Sequence, residues 1–177
     1  MNATQVPFCQ QINSRIEKPF IKKILTPYYE YTNYLKKANL YEEENQGISR
    51  LKATGEFSIE DSCYIDDTGH FNAVEFNICY NQLAYVHMAH CIKNQLIPQV
   101  AAYDINSFLQ KQLSNFLITN ISSSYHSMLN ANHFYGSYEI KKITKKSKYV
   151  FLETSCDFWD DGQGKATGTV NTVIILP

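Results

Sequence analysis

The stretch Asp61–His90, DSCYIDDTGHFNAVEFNICYNQLAYVHMAH, groups polar side chains able to act on a carbonyl. Tyr64, the Gly-His-x-Asn turn Gly69–Asn72 and the amide pair Asn81-Gln82 surround the start of the longest helical pattern. Backbone N–H groups at a helix start point outward unpaired and form the positive end of its dipole. A thioester carbonyl set there would have its developing oxyanion stabilised. The same residues also read as a capping box: in Asn72-Ala-Val-Glu75, Asn72 accepts from the first turn and Glu75 reciprocates. The pattern leaves both readings open.

The neighbouring groups each have two readings. The Tyr64 phenol could orient a carbonyl or a water, or it could be a core tyrosine satisfied locally. Asn81 and Gln82 interrupt an apolar helix, so they need partners, either a ligand or the rest of the fold. Asp66, Asp67 and Glu75 could supply a general base; turn and cap chemistry accounts for them better. His70 could bond a substrate carbonyl or hold the turn. His87 and His90 lack a third ligand, so no metal is expected, and no other cofactor. The sequence Gly162–Gly168 lacks the spacing of a phosphate loop and reads as a hairpin. With no G-x-S-x-G elbow, and no hydrolase pattern around Cys63, the chemistry points to polarisation and a positioned water.

The elements that must position these groups follow from period and punctuation. Tyr28–Tyr41 carries apolar residues at helical spacing and reads as a short amphipathic helix, closed near Gly47. Gly55–Ile65 reads as a strand broken at Glu60-Asp61, and Asp66–Gly69 as a turn. Asn72–Lys93 is a helix apolar enough to be buried on most sides. Residues 99–113 suggest a further helical piece. Phe116–Ser122, Phe134–Ile143, Tyr149–Asp157 and Lys165–Leu176 read as strands, the last three as an antiparallel meander. A single domain is expected, with residues 1–53 as an N-terminal extension and 54–177 as the core.

Composition narrows the classes. The chain has 177 residues, enough to bury one substantial core. Its net charge is −1 and its basic residues cluster only at Lys141–Lys148, so nucleic acid is not an expected partner. KKITKKSK there reads as a solvated strand and turn. Thirteen Tyr against ten Phe suit surfaces partly apolar and partly wet, such as oligomer interfaces or lipid-lined grooves. Five cysteines (Cys9, Cys63, Cys79, Cys91, Cys156) without C-x-x-C spacing point to a reducing compartment. No leader pattern and no window of eighteen apolar residues is present, so a soluble, cytoplasmic protein without a membrane span is expected.

The blocks LTPYYEYTNYL and GEFSIEDSCYIDDTGHFNAVEFNICYNQLAY, with the closing meander, resemble the FcoT-like thioesterase family. The resemblance implies an α+β hotdog fold: a long central helix wrapped by an antiparallel sheet, here with an N-terminal helical extension. It implies a homodimer whose sheets join, or a trimer of dimers, with acyl sites at the subunit interface. Substrates would be long-chain fatty acyl or 2-enoyl thioesters of coenzyme A or an acyl carrier protein. By the same resemblance the catalytic groups are Tyr64, Asn72 and Asn81. Tyr31 is matched less securely, because Tyr28, Tyr29 and Tyr34 are close by. His70, Gln82 and Tyr85 are expected to contact substrate, and Glu75 is not the base. Some members serve isonitrile lipopeptide assembly, where glycine adds to a 2-enoyl carrier-protein thioester and a 3-(carboxymethylamino) fatty acid is released. A hydratase or dehydratase using His70 and Glu75, and a non-catalytic acyl-binding or carrier-docking protein, are the alternatives.

Overall fold

The structure is a computed structural model that describes residues 13–45, 48–66 and 70–177. Cys9, Gly47, Asp67 and Gly69, which figure in the expectations above, lie outside the described residues.

One helix and one sheet organise the chain. The helix α2 spans Ala73–Lys93, close to the limits expected from its apolar run, with Asn72 as its N-cap. The strands are β1 (Asn13–Ile16), β2 (Leu35–Asn45), β3 (Ile48–Phe57), β4 (Phe116–Ser127), β5 (Phe134–Lys145), β6 (Tyr149–Trp159) and β7 (Lys165–Ile175). They form one antiparallel sheet in the order β1-β2-β3-β5-β6-β7-β4. Two shorter helices, α1 (Lys18–Ile24) and α3 (Ile105–Asn115), flank α2.

Side-chain contacts of α2 show that the sheet wraps it. Gln82 bonds the Leu35 backbone of β2, and Tyr80 bonds Thr154 of β6 and Thr172 of β7. The His87 ring lies against Tyr138 of β5, and Phe76 packs on Tyr125 of β4. From β2 to β4 is five strand steps, about 24 Å across a flat sheet. A helix about 10–12 Å wide reaches both only if the sheet curls around it. This is the hotdog arrangement.

Alternation drives that curl. Val150, Leu152, Thr154, Cys156 and Phe158 of β6 all face inward at period two and are buried. At the sheet end nearest the start of α2, Phe57, Phe71, Phe76, Phe134 and Phe158 pack ring to ring. Gly168 of β7 makes room for this cluster, since a Cβ there would overlap the Phe76 ring.

Two expected elements differ. Tyr28–Tyr41 is not a helix: Glu30–Thr32 forms one 3-10 turn and β2 begins at Leu35. A β-bulge between Leu35 and Lys37 breaks the two-residue alternation. Buried Tyr34, Leu35 and Ala38 therefore fall at a spacing that mimics a helix. The strand expected over Gly55–Ile65 ends at Phe57, where the chain leaves the sheet; Ser58 N bonds Tyr34 O and Ile59 N bonds Ala131 O. Residue 53 lies inside β3, and β1 and β2 continue the same sheet. We therefore propose that residues 13–177 make up one domain. The helical piece expected over 99–113 comprises the 3-10 turn Pro98–Val100 and α3. KKITKKSK forms the end of β5 and its turn into β6, as expected.

Candidate active site

The capping box at the start of α2 is formed. Asn72 is extended, and its Oδ1 accepts from Val74 N at 3.0 Å and Glu75 N at 3.3 Å. Glu75 Oε2 accepts from Asn72 N at 3.2 Å, and Glu75 is buried. The cap fixes which way the amide points: its oxygen faces the helix and its Nδ2 faces away. That Nδ2 is buried and has no hydrogen-bond partner. A buried N–H left unpaired costs on the order of 1–3 kcal/mol, so an incoming oxygen there would be strongly favoured. Beside it a cleft of about 390 Å³ is lined by His70–Ala73 and by Tyr125–Met128 at the end of β4. The two readings of Asn72 are thus compatible, because the cap uses the oxygen and leaves the nitrogen.

A second group lies farther along α2. Val74, Asn77, Ile78, Asn81, Ala84 and Tyr85 recur at helical spacing and are only partly buried or exposed. Asn81 Nδ2 donates to Asn77 Oδ1 at 3.4 Å. With Tyr85, Met88, Phe116, Ile118 and Leu152, Asn81 borders a cavity of about 30 Å³ between helix and sheet. Tyr85 meets Phe108 and Phe116 edge-on, and burial raises its pKa, keeping the phenol neutral. The pKa of Tyr28 is raised as well, by burial first, with its neighbours Tyr85 and Cys79 as lesser causes.

The other expected residues differ in their surroundings. Tyr64 is 47% exposed, on the irregular segment after β3. Tyr31 is exposed and stacks on Tyr29, with ring centroids 5.7 Å apart. Tyr34, by contrast, is buried, and its hydroxyl donates to Asp61 O at 3.3 Å. His70 is exposed at the mouth of the cleft. Gln82 is 0% exposed; its Oε1 accepts from Leu35 N at 2.9 Å and its Nε2 donates to Thr32 O at 2.6 Å. With both ends of its amide on backbone, Gln82 does not face a substrate and serves as a brace between α2 and the N-terminal segment.

Asn72 and Asn81 do not converge within one chain. Nine positions of α-helix separate them by about 13.5 Å along the axis and two and a half turns. Sequence reasoning also missed Asn77, Tyr125, His126 and Met128. The β4 residues carry no recognisable motif; Asn77 carries the signal of a second amide one turn before Asn81. Among the described residues no group of three or more His, Cys, Asp or Glu is placed to hold a metal ion. His87 is buried, and desolvation pulls its pKa down to about 3; His90 Nε2 pairs with Ser14 Oγ at 3.2 Å.

Comparison with known proteins bears on this geometry. A (2E)-enoyl-[ACP] glycyltransferase of Streptomyces coeruleorubidus is 32% identical over 164 residues, covering 90% of this chain and 97% of that protein. One from Mycobacterium marinum is 32% identical over 159 residues, covering 88% and 84%. The solved structure of zebra fish thioesterase superfamily member 2 superposes with a TM-score of 0.49 at 9% identity, over 90% of this chain and 95% of that one. The model of the FcoT-like thioesterase domain matches residues 23–174. The chain therefore belongs to the FcoT-like thioesterase family.

Proposed function

We propose that this enzyme adds glycine across the 2,3-double bond of a 2-enoyl thioester on an acyl carrier protein and then hydrolyses the thioester. The observation that carries the reading is the near full-length likeness to proteins named (2E)-enoyl-[ACP] glycyltransferase. The residue chemistry supports it. The glycine nitrogen, as a free amine, attacks C3, and the electron pair moves through C2 to the carbonyl oxygen. Donors at the start of α2, Asn72 Nδ2 foremost, hold that enolate oxygen. C2 takes a proton and the nitrogen loses one. Water then attacks the carbonyl through a second oxyanion on the same donors, and the thiol leaves with a proton. The product is a 3-(carboxymethylamino) acid.

In this reading Tyr64 and Asn81 position the amine or water, and Tyr31, His70 and Tyr85 contact the acyl thioester. Asn72 and Asn81 are too far apart to act together in one chain, so the site is completed by a second copy. The edge strand β4 supports such a dimer. It ends the sheet, exposes Leu117, Ile121 and Tyr125, and carries no charged residue or proline along its length. Such an unprotected edge favours strand pairing. Antiparallel pairing of two β4 edges would also set the two α2 helices antiparallel, with the start of one toward the later turns of the other. No described helix is long and apolar enough to cross a membrane. The buried free thiols Cys79, Cys91 and Cys156 suit a reducing, cytoplasmic setting.

The test is product mass. Saturated and 2-enoyl thioesters, on coenzyme A and on acyl carrier protein, are incubated with and without glycine. A glycine-dependent acid heavier than the enoic acid by the mass of glycine supports the reading. Retained thioester heavier by one water supports a hydratase, and binding without any product supports an acyl-binding protein.

A further inference from the structure

We propose that Asn77 is a positioning residue that fixes which end of the Asn81 amide meets the incoming nucleophile; this rests on the reading of Asn81 given above. Asparagine is among the poorer residues for a helix interior. Yet α2 places two of them four apart on its half-open stripe, where their side chains meet. The contact is directional: Asn81 Nδ2 donates to Asn77 Oδ1 at 3.4 Å. An asparagine amide has two donor hydrogens on nitrogen and an acceptor oxygen. With Nδ2 turned back along the helix toward Asn77, the Asn81 Oδ1 is the end of the amide left uncommitted, available as an acceptor.

An acceptor is what an attacking amine requires from a positioning group. The glycine nitrogen must keep its lone pair on C3, so the enzyme can orient it only through its N–H bonds. A freely rotating Asn81 would offer N–H as often as C=O, and the N–H would compete for that lone pair. Asn77 removes the wrong orientation. The pair then presents an acceptor for the nucleophile, while donors for the carbonyl oxygen come from the start of α2. Loss of such orientation reduces rate without abolishing binding of the acyl group.

The experiment uses the full-length chain with butenoyl, octenoyl and hexadecenoyl 2-enoyl thioesters on acyl carrier protein, at varied glycine. It compares the wild type with Asn77→Ala, Asn77→Asp, Asn81→Ala and the Asn77→Ala/Asn81→Ala double variant. Asn77→Ala is expected to lower kcat/KM for glycine about tenfold and leave KM for the thioester within about twofold. Its melting temperature should not fall, because alanine favours the helix. Aspartate can only accept, so Asn77→Asp keeps the Asn81 donor bond and should restore glycine kcat/KM to within about threefold. The double variant should be no worse than Asn81→Ala alone, since the two act as a unit. The inference is overturned if Asn77→Ala matches the wild type while Asn81→Ala is impaired, if Asn77→Asp is as poor as Asn77→Ala, or if the two losses add. If Asn81→Ala itself is fully active, the reading of Asn81 fails instead.

Discussion

At the scale of single residues, the site turns on which atom of each amide is already committed. Asn72 was legible as a cap from N-x-x-E alone, because capping needs only nearby backbone. What the sequence could not reveal is that the cap spends the oxygen and leaves Nδ2 buried and unpaired. The two roles therefore separate by mutation. Asn72→Ala should lose the cap and destabilise the fold by about 1 kcal/mol as well as lose activity. Asn72→Asp keeps a good cap, so denaturant midpoints should barely move, but it has no donor nitrogen. Turnover of the enoyl thioester should then fall about 100-fold, the usual loss for an oxyanion donor. Wild-type rates in a stable Asn72→Asp protein would leave Asn72 with a capping role alone. Gln82 makes the opposite case. Its partners lie 47 and 50 residues away in sequence, which local pattern cannot anticipate. Gln82→Ala strands Leu35 N–H and Thr32 C=O in the interior. A loss of about 2–4 kcal/mol is expected in urea unfolding, with surviving folded enzyme keeping near-normal KM. A selective rise in KM at unchanged stability would restore Gln82 to the substrate site.

At the scale of elements, legibility followed whether residue type and spacing pointed to the same element. The α2 run reads directly from its length of apolar residues, and β6 from strict alternation. Strands β4, β5 and β7 read from β-branched and aromatic residues between turn signals, although bulges interrupt β4 and β5. Residues 28–41 misled because the bulge at Leu35–Lys37 inserted one residue into an alternating strand. The packing of α2 on the sheet also sets an acid response. His87 is fully buried against Tyr138, and desolvation first, then the charge of His90, lowers its pKa from 6.5 to about 3. The unfolded chain therefore takes up a proton below pH 6.5 that the folded chain refuses. Stability from this group is intact above pH 6.5 and declines as pH falls, until the folded histidine itself titrates near 3. The slope within that window is about 1.4 kcal/mol per pH unit. Urea midpoints at pH 7.5 and 5.0 should show a clear acid loss in the wild type and a smaller one in His87→Gln. Equal losses in both proteins would mean that His87 does not govern the acid limb.

At the scale of the whole molecule, α2 holds its two polar groups about 13.5 Å apart, while a thioester carbonyl and the carbon two bonds beyond it span only a few ångströms. On the function proposed above, one chain presents two half-sites, and the bare edge of β4 offers a way to join them. The family resemblance implied an interface site, but the separation of these two residues was not legible in the sequence, where Asn72 and Asn81 are near neighbours; the helix rise separates them. The consequence is open to complementation. Asn72→Asp and Asn81→Ala enzymes should each retain only a small fraction of wild-type turnover. Unfolded together, refolded as an equal mixture and isolated by a tag on each chain, their mixed dimers place both mutations in one site and neither in the other. Random pairing makes about half of the dimers mixed, each with one intact site of two, so the unsorted mixture should regain roughly one quarter of wild-type turnover. The isolated mixed dimer should regain about half. If each chain instead built its own complete site, every site in every mixture would carry one mutation, and no activity would return. Breaking the β4 edge supplies the matching control: Ile121→Lys should yield monomers that keep α2 helicity but lose turnover. A fully active monomer would end the two-chain account of the site.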